Sequence, residues 1–269
     1  MISIVELNIS HLTKNGKYSS NSFNFNNPGC SEFIPVSSSA HVNLLSKIFG
    51  YEDIEQIINV SAHFGSLIAV IFFFRREIFE FTKNKHLFFK IVIASVPIGV
   101  IGFFLIEYEI ISNLRTLEMM GWTTIIFGLL LYVSDKFQTK QDIENSFTVK
   151  NAIVIGCFQV LALVPGVSRS GIIITGARFL KFNRVDSAKI SFLLSIPALG
   201  GWSLYGFYDL IKQNDEWLNT GAILTVFLSF IFSYLTIKYF LVYLKKFNLS
   251  LFVGYRLILG IILLLVAYL

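Results

Sequence analysis

Leu163-Val-Pro-Gly-Val-Ser-Arg-Ser-Gly171 decides how this chain folds. It lies inside an apolar stretch, about residues 152–176, long enough to cross a bilayer. The centre of that stretch is broken by proline, glycine, serine and one arginine. Proline removes a backbone donor and glycine loosens a helix. Interrupted backbone at membrane depth is tolerated only where protein buries it or water reaches it. The stretch therefore predicts a re-entrant helix–loop–helix hairpin rather than a span. A second stretch, about 28–48, is broken in the same manner by Pro35-Val-Ser-Ser-Ser39 and predicts a second hairpin.

Around the hairpins stand six ordinary candidate spans: about 58–74, 87–106, 117–134, 187–207, 219–242 and 250–268. The composition agrees with lipid as the solvent. Of 269 residues, 54% are hydrophobic and only 14% charged, against about 25% charged in soluble domains. Phenylalanine, with 28 copies, suits a lipid-facing surface. Cys30 and Cys157 are too few for a disulfide framework and have no metal-type partner at short spacing. They read as small buried hydrophobes. Residues 1–27 are polar, rich in Asn and Ser, and lack the apolar core of a cleavable signal. They read as an atypical N-terminal segment expected to lack fixed structure, ahead of a membrane domain over 28–269.

The net charge is +5. No nucleic-acid motif accompanies it, and the basic residues cluster in short loops. Arg75, Arg76, Lys83, Lys85, Lys90, Lys136, Lys140, Lys150, Arg178, Lys181, Arg184, Lys189, Lys245 and Lys246 fall on one set of loops. Arg115 and Lys212 fall on the other. The basic set belongs in the cytoplasm. With that orientation the two hairpins enter from opposite faces, as in an inverted repeat. Ser95-Val-Pro97-Ile-Gly99 echoes Ser195-Ile-Pro197-Ala-Leu-Gly200 and is read as a trace of the repeat. The fold expected is an all-α, polytopic integral-membrane bundle whose two hairpins meet near the midplane.

The hairpins also hold the chemistry. Glu32 and His41 lie in the first, Arg169 in the second, and both are rich in serine. Ionisable groups inside a membrane are expensive and usually mark function. Arginine grips phosphate through a planar fork. Ser168-Arg169-Ser170-Gly171, opening a helix, fits an anion cradle of hydroxyl and backbone donors. Glu32 can hold a divalent cation, because hard cations choose oxygen ligands and bridge phosphates. His41 can act as acid or base near neutral pH, and a serine beside a base can act as nucleophile. The reaction class suggested is phosphoryl transfer with charge neutralised by metal and arginine.

Ser31-Glu-Phe-Ile-Pro-Val-Ser-Ser-Ser-Ala-His41 and Leu163-Val-Pro-Gly-Val-Ser-Arg-Ser-Gly171 resemble the two signature segments of the bacterial undecaprenyl-diphosphate phosphatases of the bacitracin-resistance type. The likeness continues in Ala62-His-Phe-Gly-Ser-Leu-Ile-Ala69, Phe192-Leu-Leu-Ser-Ile-Pro197 and Tyr255-Arg-Leu-Ile-Leu-Gly260, and covers about residues 30–269. It implies hydrolysis of undecaprenyl diphosphate to the monophosphate and inorganic phosphate. That reaction recycles the lipid carrier for cell-wall glycans in the bacterial cytoplasmic membrane, at a site opening to the outer face. It also implies a divalent cation, Mg2+ or Ca2+, held by Glu32. Ser38 and His41 match the motif serine and histidine, one of which attacks phosphorus. Ser168 and Arg169 match the phosphate-binding pair, with Ser37, Ser39, Ser170 and Gly171 beside them. The partners implied are a prenyl diphosphate and membrane lipid, with no nucleic acid. The oligomeric state is left open, a dimer included.

Two departures bear on activity. The family carries Glu or Gln four residues before the motif glutamate, where this chain has Pro28, a residue with no ligand atom. The family's threonine after Ser-Arg-Ser-Gly is replaced by Ile173, with a threonine only at 175. Weaker metal binding and a lost or shifted phosphate contact are expected. A lipid-phosphate flippase and an inactive homologue are the competing readings of the same architecture.

Overall fold

The computed structural model describes residues 6–7, 23–24, 31–38, 40–41, 44, 55–80, 85–108, 114, 116–212 and 220–269. Pro28, Cys30, Ser39, Lys83 and Arg115 lie outside the described residues, as does most of the 1–27 segment. Within that segment, β1 (Glu6–Leu7) and β2 (Phe23–Asn24) pair antiparallel. Everything else described as regular structure is helical.

The helices are α1 (Glu55–Phe73), α2 (Arg75–Glu80), α3 (Lys85–Glu107), α4 (Leu117–Asp135), α5 (Ile143–Ser146), α6 (Val149–Val160), α7 (Arg169–Phe179), α8 (Arg184–Lys212), α9 (Thr220–Lys246) and α10 (Ser250–Tyr268). Five of them, α3, α4, α8, α9 and α10, contain segments long and apolar enough to cross a membrane. The span expected at 58–74 is α1, whose backbone hydrogen bonding continues through Phe74 into α2. Exposed Phe88, Phe89, Phe103 and Phe104 on α3 face outward, as a lipid-contacting helix requires.

The stretch over 152–176 is the hairpin the sequence predicts. α6 has 12 residues and α7 has 11. At about 1.5 Å per residue each rises roughly 17–18 Å, well short of a hydrocarbon core about 30 Å thick. A short 3-10 turn, Leu161–Leu163, and the Pro165-Gly166 bend join them. In the first hairpin, residues 32–36 form the turn and helix resumes at Ser38.

The termini of the helices sort onto two faces. At one, Asp135 ends α4, Arg184 opens α8 and Leu249 precedes α10. Arg184 donates to both Asp135 carboxylate oxygens, at 2.7 and 3.1 Å, and the Leu249 N–H donates to the same carboxylate at 3.1 Å. Arg178, placed in a solvent loop by the sequence reading, is only 2% exposed. It donates to the carbonyls of Asp135 at 3.0 Å and Phe137 at 2.6 Å. At the opposite face Tyr268 closes α10 against Glu118 at the start of α4, with Tyr268 Oη donating at 2.6 Å. After its broken turn each half carries three long helices, α1, α3 and α4 in the first and α8, α9 and α10 in the second, and an odd number inverts the second half relative to the first.

Packing follows the repeat. α1 lies against α8 and α4 against α10, each pair joining equivalent members of the two halves. The Ser95/Ser195 echo does not belong to this symmetry, because Pro97 lies in α3 and Pro197 in α8, which are not equivalent. The true echo is Val36-Ser-Ser-Ser-Ala40 with Val167-Ser-Arg-Ser-Gly171. Ser37 and Ser168 both adopt a positive φ of 69°. That conformation is uncommon for a residue with a side chain and persists where the surroundings impose it.

α1 meets α9 along a polar seam. Ser66 Oγ lies 3.1 Å from Ser229 Oγ and 2.9 Å from Ser233 Oγ, and Ser229 donates to the Ala62 carbonyl at 2.6 Å. Gly65 permits this approach, since a Cβ there would come within 2.8 Å of Ser229 Cβ. Interhelical hydrogen bonds in membranes contribute about 0.6 kcal/mol on average and roughly 1.7 at most. Ser66→Ala is therefore expected to lower the thermal midpoint in detergent by only a few degrees. Gly65→Leu, which forces α1 and α9 apart, is expected to lower it much further.

Candidate active site between the hairpins

The two turns meet around Glu32. Arg169, the first residue of α7, donates from Nη2 to Glu32 Oε1. The Ser38 hydroxyl donates to Glu32 Oε2 at 3.4 Å. The carboxylate side chain is 8% exposed and the guanidinium 18%. A buried carboxylate without a partner is costly, so the pair fixes both turns to each other. Ser170, the second residue of α7, ties them a second time by donating to the Ile34 carbonyl at 2.9 Å.

Local geometry explains how the second turn presents its arginine. Ser168 caps α7, its Oγ accepting from the Gly171 N–H at 3.2 Å. The positive φ of Ser168 turns the chain sharply into the helix, so that Arg169 projects from the first helical position. Helix N-termini favour anions through their unpaired N–H groups and dipole. Gly171 is needed for packing, because a Cβ there would fall 2.8 Å from Arg256 Nη1.

Arg256 on α10 supports the whole turn. It is 0% exposed and, among the described residues, donates to three carbonyls: Thr124 at 3.2 Å, Val167 at 3.0 Å and Gly166 at 3.2 Å. Thr123 and Thr124 on α4 reach the same loop, donating to the Pro165 carbonyl at 2.6 Å and the Gly166 carbonyl at 3.2 Å. The carbonyls released by the broken helix are thus met by side chains of α4 and α10, as lipid demands.

The expected site residues divide into three groups. Glu32, Ser38 and Arg169 come together directly. Ser168 stands beside them, its Oγ 3.3 Å from Ser170 Oγ. Ser37, Ser170 and Gly171 are framework: Ser37 is 1% exposed, the Ser170 hydroxyl stitches the turns, and the Gly171 N–H is taken by Ser168. His41 faces elsewhere. Its Nδ1 lies 2.7 Å from the Ser37 carbonyl and its Nε2 2.5 Å from Tyr255 Oη, with the rings stacked. A carbonyl only accepts, so Nδ1 carries the proton and Nε2 accepts from the tyrosine. Among the described residues the imidazole beside Glu32 is instead His63 on α1, its Nδ1 3.6 Å from Oε2. Ile173 is fully buried, and the Thr175 hydroxyl donates back to the Gly171 carbonyl at 2.8 Å.

Sequence reasoning missed His63, Tyr255 and Arg256 as site residues. All three lie within the flanking segments quoted for the resemblance, but nothing local marks a residue of a separate helix as reaching the hairpins. A divalent cation would find one carboxylate oxygen here, Glu32 Oε2, which it would share with the long bond from Ser38, the other oxygen being taken by Arg169. Among the described residues no three His, Cys, Asp or Glu side chains cluster. The donor set fits a cation completed by substrate phosphate oxygens and water, the usual coordination of Mg2+ in phosphate sites.

Fold and site together define a polytopic helical membrane protein with a buried acid–guanidinium centre between two broken hairpins. Residues 28–262 match the family model for bacitracin resistance protein BacA. The chain belongs to that family. It is 45% identical over 241 residues to a protein of Pelagibacter ubique (strain HTCC1062) named undecaprenyl-diphosphatase, covering 89% of this chain and 94% of that one. Proteins of the same name from Jannaschia sp. (strain CCS1) and Saccharophagus degradans (strain 2-40) are 35% and 39% identical, over 89% and 86% of this chain and 95% and 91% of their own lengths.

Proposed function

We infer that this chain hydrolyses undecaprenyl diphosphate to undecaprenyl phosphate and inorganic phosphate, recycling a lipid carrier for cell-wall glycan synthesis. The observation that carries the reading is the pairing of Glu32 with Arg169 across the two hairpins, with Ser38 on the same carboxylate. Arg169 supplies a planar fork for the non-bridging oxygens of the diphosphate and, as charge builds on them, stabilises the transition state. The dipole of α7 adds to it. Glu32 would hold a Mg2+ or Ca2+ ion, which neutralises phosphate charge when bound. Glu32 also accepts from the Ser38 hydroxyl, so it can take that proton if serine attacks, or orient a water if water does. His41, bonded to Ser37 and Tyr255, acts on the first turn rather than at the carboxylate. The prenyl tail lies among the lipid-exposed helices. Basic residues at the termini of α4, α7 and α8 support a cytoplasmic placement of that face and an opening of the first hairpin to the outer face.

Transport of the same lipid needs no paired acid and hydroxyl at the phosphate, and the relatives' names favour hydrolysis. The test is phosphate release by purified, detergent-solubilised protein supplied with a C15 or C55 prenyl diphosphate, with and without Mg2+ or Ca2+. Cation-dependent release is expected. Glu32→Gln is expected to lower it by about 10²-fold or more, as loss of one preorganised catalytic group does. Full release from Glu32→Gln would remove the carboxylate from the reaction.

A further inference from the structure

His63 belongs to α1, outside both hairpins, yet its imidazole is aimed at their shared carboxylate. The 3.6 Å from His63 Nδ1 to Glu32 Oε2 is too long for an N–H···O hydrogen bond. Nδ1 is buried and makes no hydrogen bond among the described residues. Trp202 on α8 closes one side, its ring edge-on to the imidazole with centroids 6.5 Å apart. Two ligand atoms each about 2.1 Å from one cation, at an angle of 90–120°, lie roughly 3.0–3.6 Å from each other. The separation is that of co-ligands rather than of a donor and its acceptor. Buried polar atoms seldom go unpaired, and metal coordination is one use such an atom can serve.

We propose that His63 Nδ1 and Glu32 Oε2 are joint ligands of the divalent cation at this site, with phosphate oxygens and water completing its shell. The proposal rests on the phosphatase reading above and adds the second protein ligand. Arg169 holds Glu32 Oε1, and Oε2, which accepts only the long 3.4 Å bond from Ser38, keeps a lone pair for the ion. Nitrogen ligation has a consequence for selectivity. Imidazole suits first-row transition ions, whereas Ca2+ and Mg2+ prefer an all-oxygen shell. The wild-type site therefore favours Mn2+ over Ca2+ by more than an all-oxygen shell would.

The test is titration of purified, detergent-solubilised protein with Mn2+, free ion being followed by electron paramagnetic resonance, and with Ca2+ in competition. Quenching of Trp202 fluorescence by Mn2+ gives a second readout. His63→Ala is expected to weaken Mn2+ binding by about tenfold or more and to leave Ca2+ binding changed far less. His63→Gln, which offers an oxygen of similar reach, is expected to reverse the preference toward Ca2+. The ratio of the two affinities does not depend on how much of a variant is folded. An unchanged Mn2+/Ca2+ ratio in both variants, or no Mn2+ binding by the wild type, overturns the proposal, even if phosphate is released normally. Mn2+ binding that needs His63, without phosphate release from a prenyl diphosphate, sustains the cation site and overturns the hydrolase reading instead.

Discussion

Arg169→Ala is expected to reduce phosphate release from a prenyl diphosphate by about 10³-fold or more, the scale seen when an arginine that meets developing phosphoryl charge is removed. Three features converge on this side chain. It stands at the first position of α7, where the helix dipole reinforces its charge. It is the cation paired with Glu32, and the Ser168 cap sets its direction. Its removal also leaves the Glu32 carboxylate buried without its counter-ion, which costs about 3–5 kcal/mol in comparable pairs. Arg169→Lys separates the two effects. Lysine keeps a positive charge near Glu32 but loses the planar fork. Its thermal midpoint should stay near wild type while phosphate release still falls by at least about tenfold, the scale of one lost charge-assisted hydrogen bond. Wild-type turnover in Arg169→Lys would mean that the fork is not used.

The largest expected effect on stability belongs to Arg256→Met. Methionine fills similar space but cannot donate, so the Thr124, Gly166 and Val167 carbonyls lose their shared donor at once. Each unsatisfied buried acceptor costs about 1–3 kcal/mol. Thr123 and Thr124 still meet part of the loop, so the net loss expected is roughly 3–5 kcal/mol rather than the full sum. For comparison, folded domains are stable by only about 5–15 kcal/mol. The variant should unfold at a much lower temperature in detergent, or fail to accumulate in the membrane. Arg256→Lys is expected to rescue it only in part, because one ammonium cannot reach three carbonyls set around a fork. A thermal midpoint in Arg256→Met within a few degrees of wild type would show that the turn is held by the threonines instead.

Much of this architecture was legible before any coordinates. Apolar length gave the spans, and Pro165-Gly166 within an apolar stretch gave the hairpin, because lipid forbids free backbone groups. The meeting of Glu32 and Arg169 followed from charge placed where charge is expensive. What stayed hidden was non-local. His63 reads as one polar residue on an apolar helix until α1 is packed against the first turn. His41 lies in the motif but is drawn to Tyr255, which is 214 positions away in the chain. The proline-bearing apolar segments around Pro97 and Pro197 resemble one another by composition rather than by symmetry. The genuine match, Val36-Ser37 with Val167-Ser168, was masked by Gly166, which lengthens the second turn by one residue between proline and valine. Only the shared backbone conformation at the two serines makes the correspondence plain.

The central claim is that the two hairpins act as one site through Glu32 and Arg169. A double-mutant cycle on phosphate release, with Glu32→Gln, Arg169→Lys and both together, tests it most directly. Residues joined in one charged pair should be strongly coupled, so the double variant is expected to be little worse than the poorer single one. Losses that simply multiply would mean that the acid and the guanidinium work apart, and would contradict a shared centre between the hairpins.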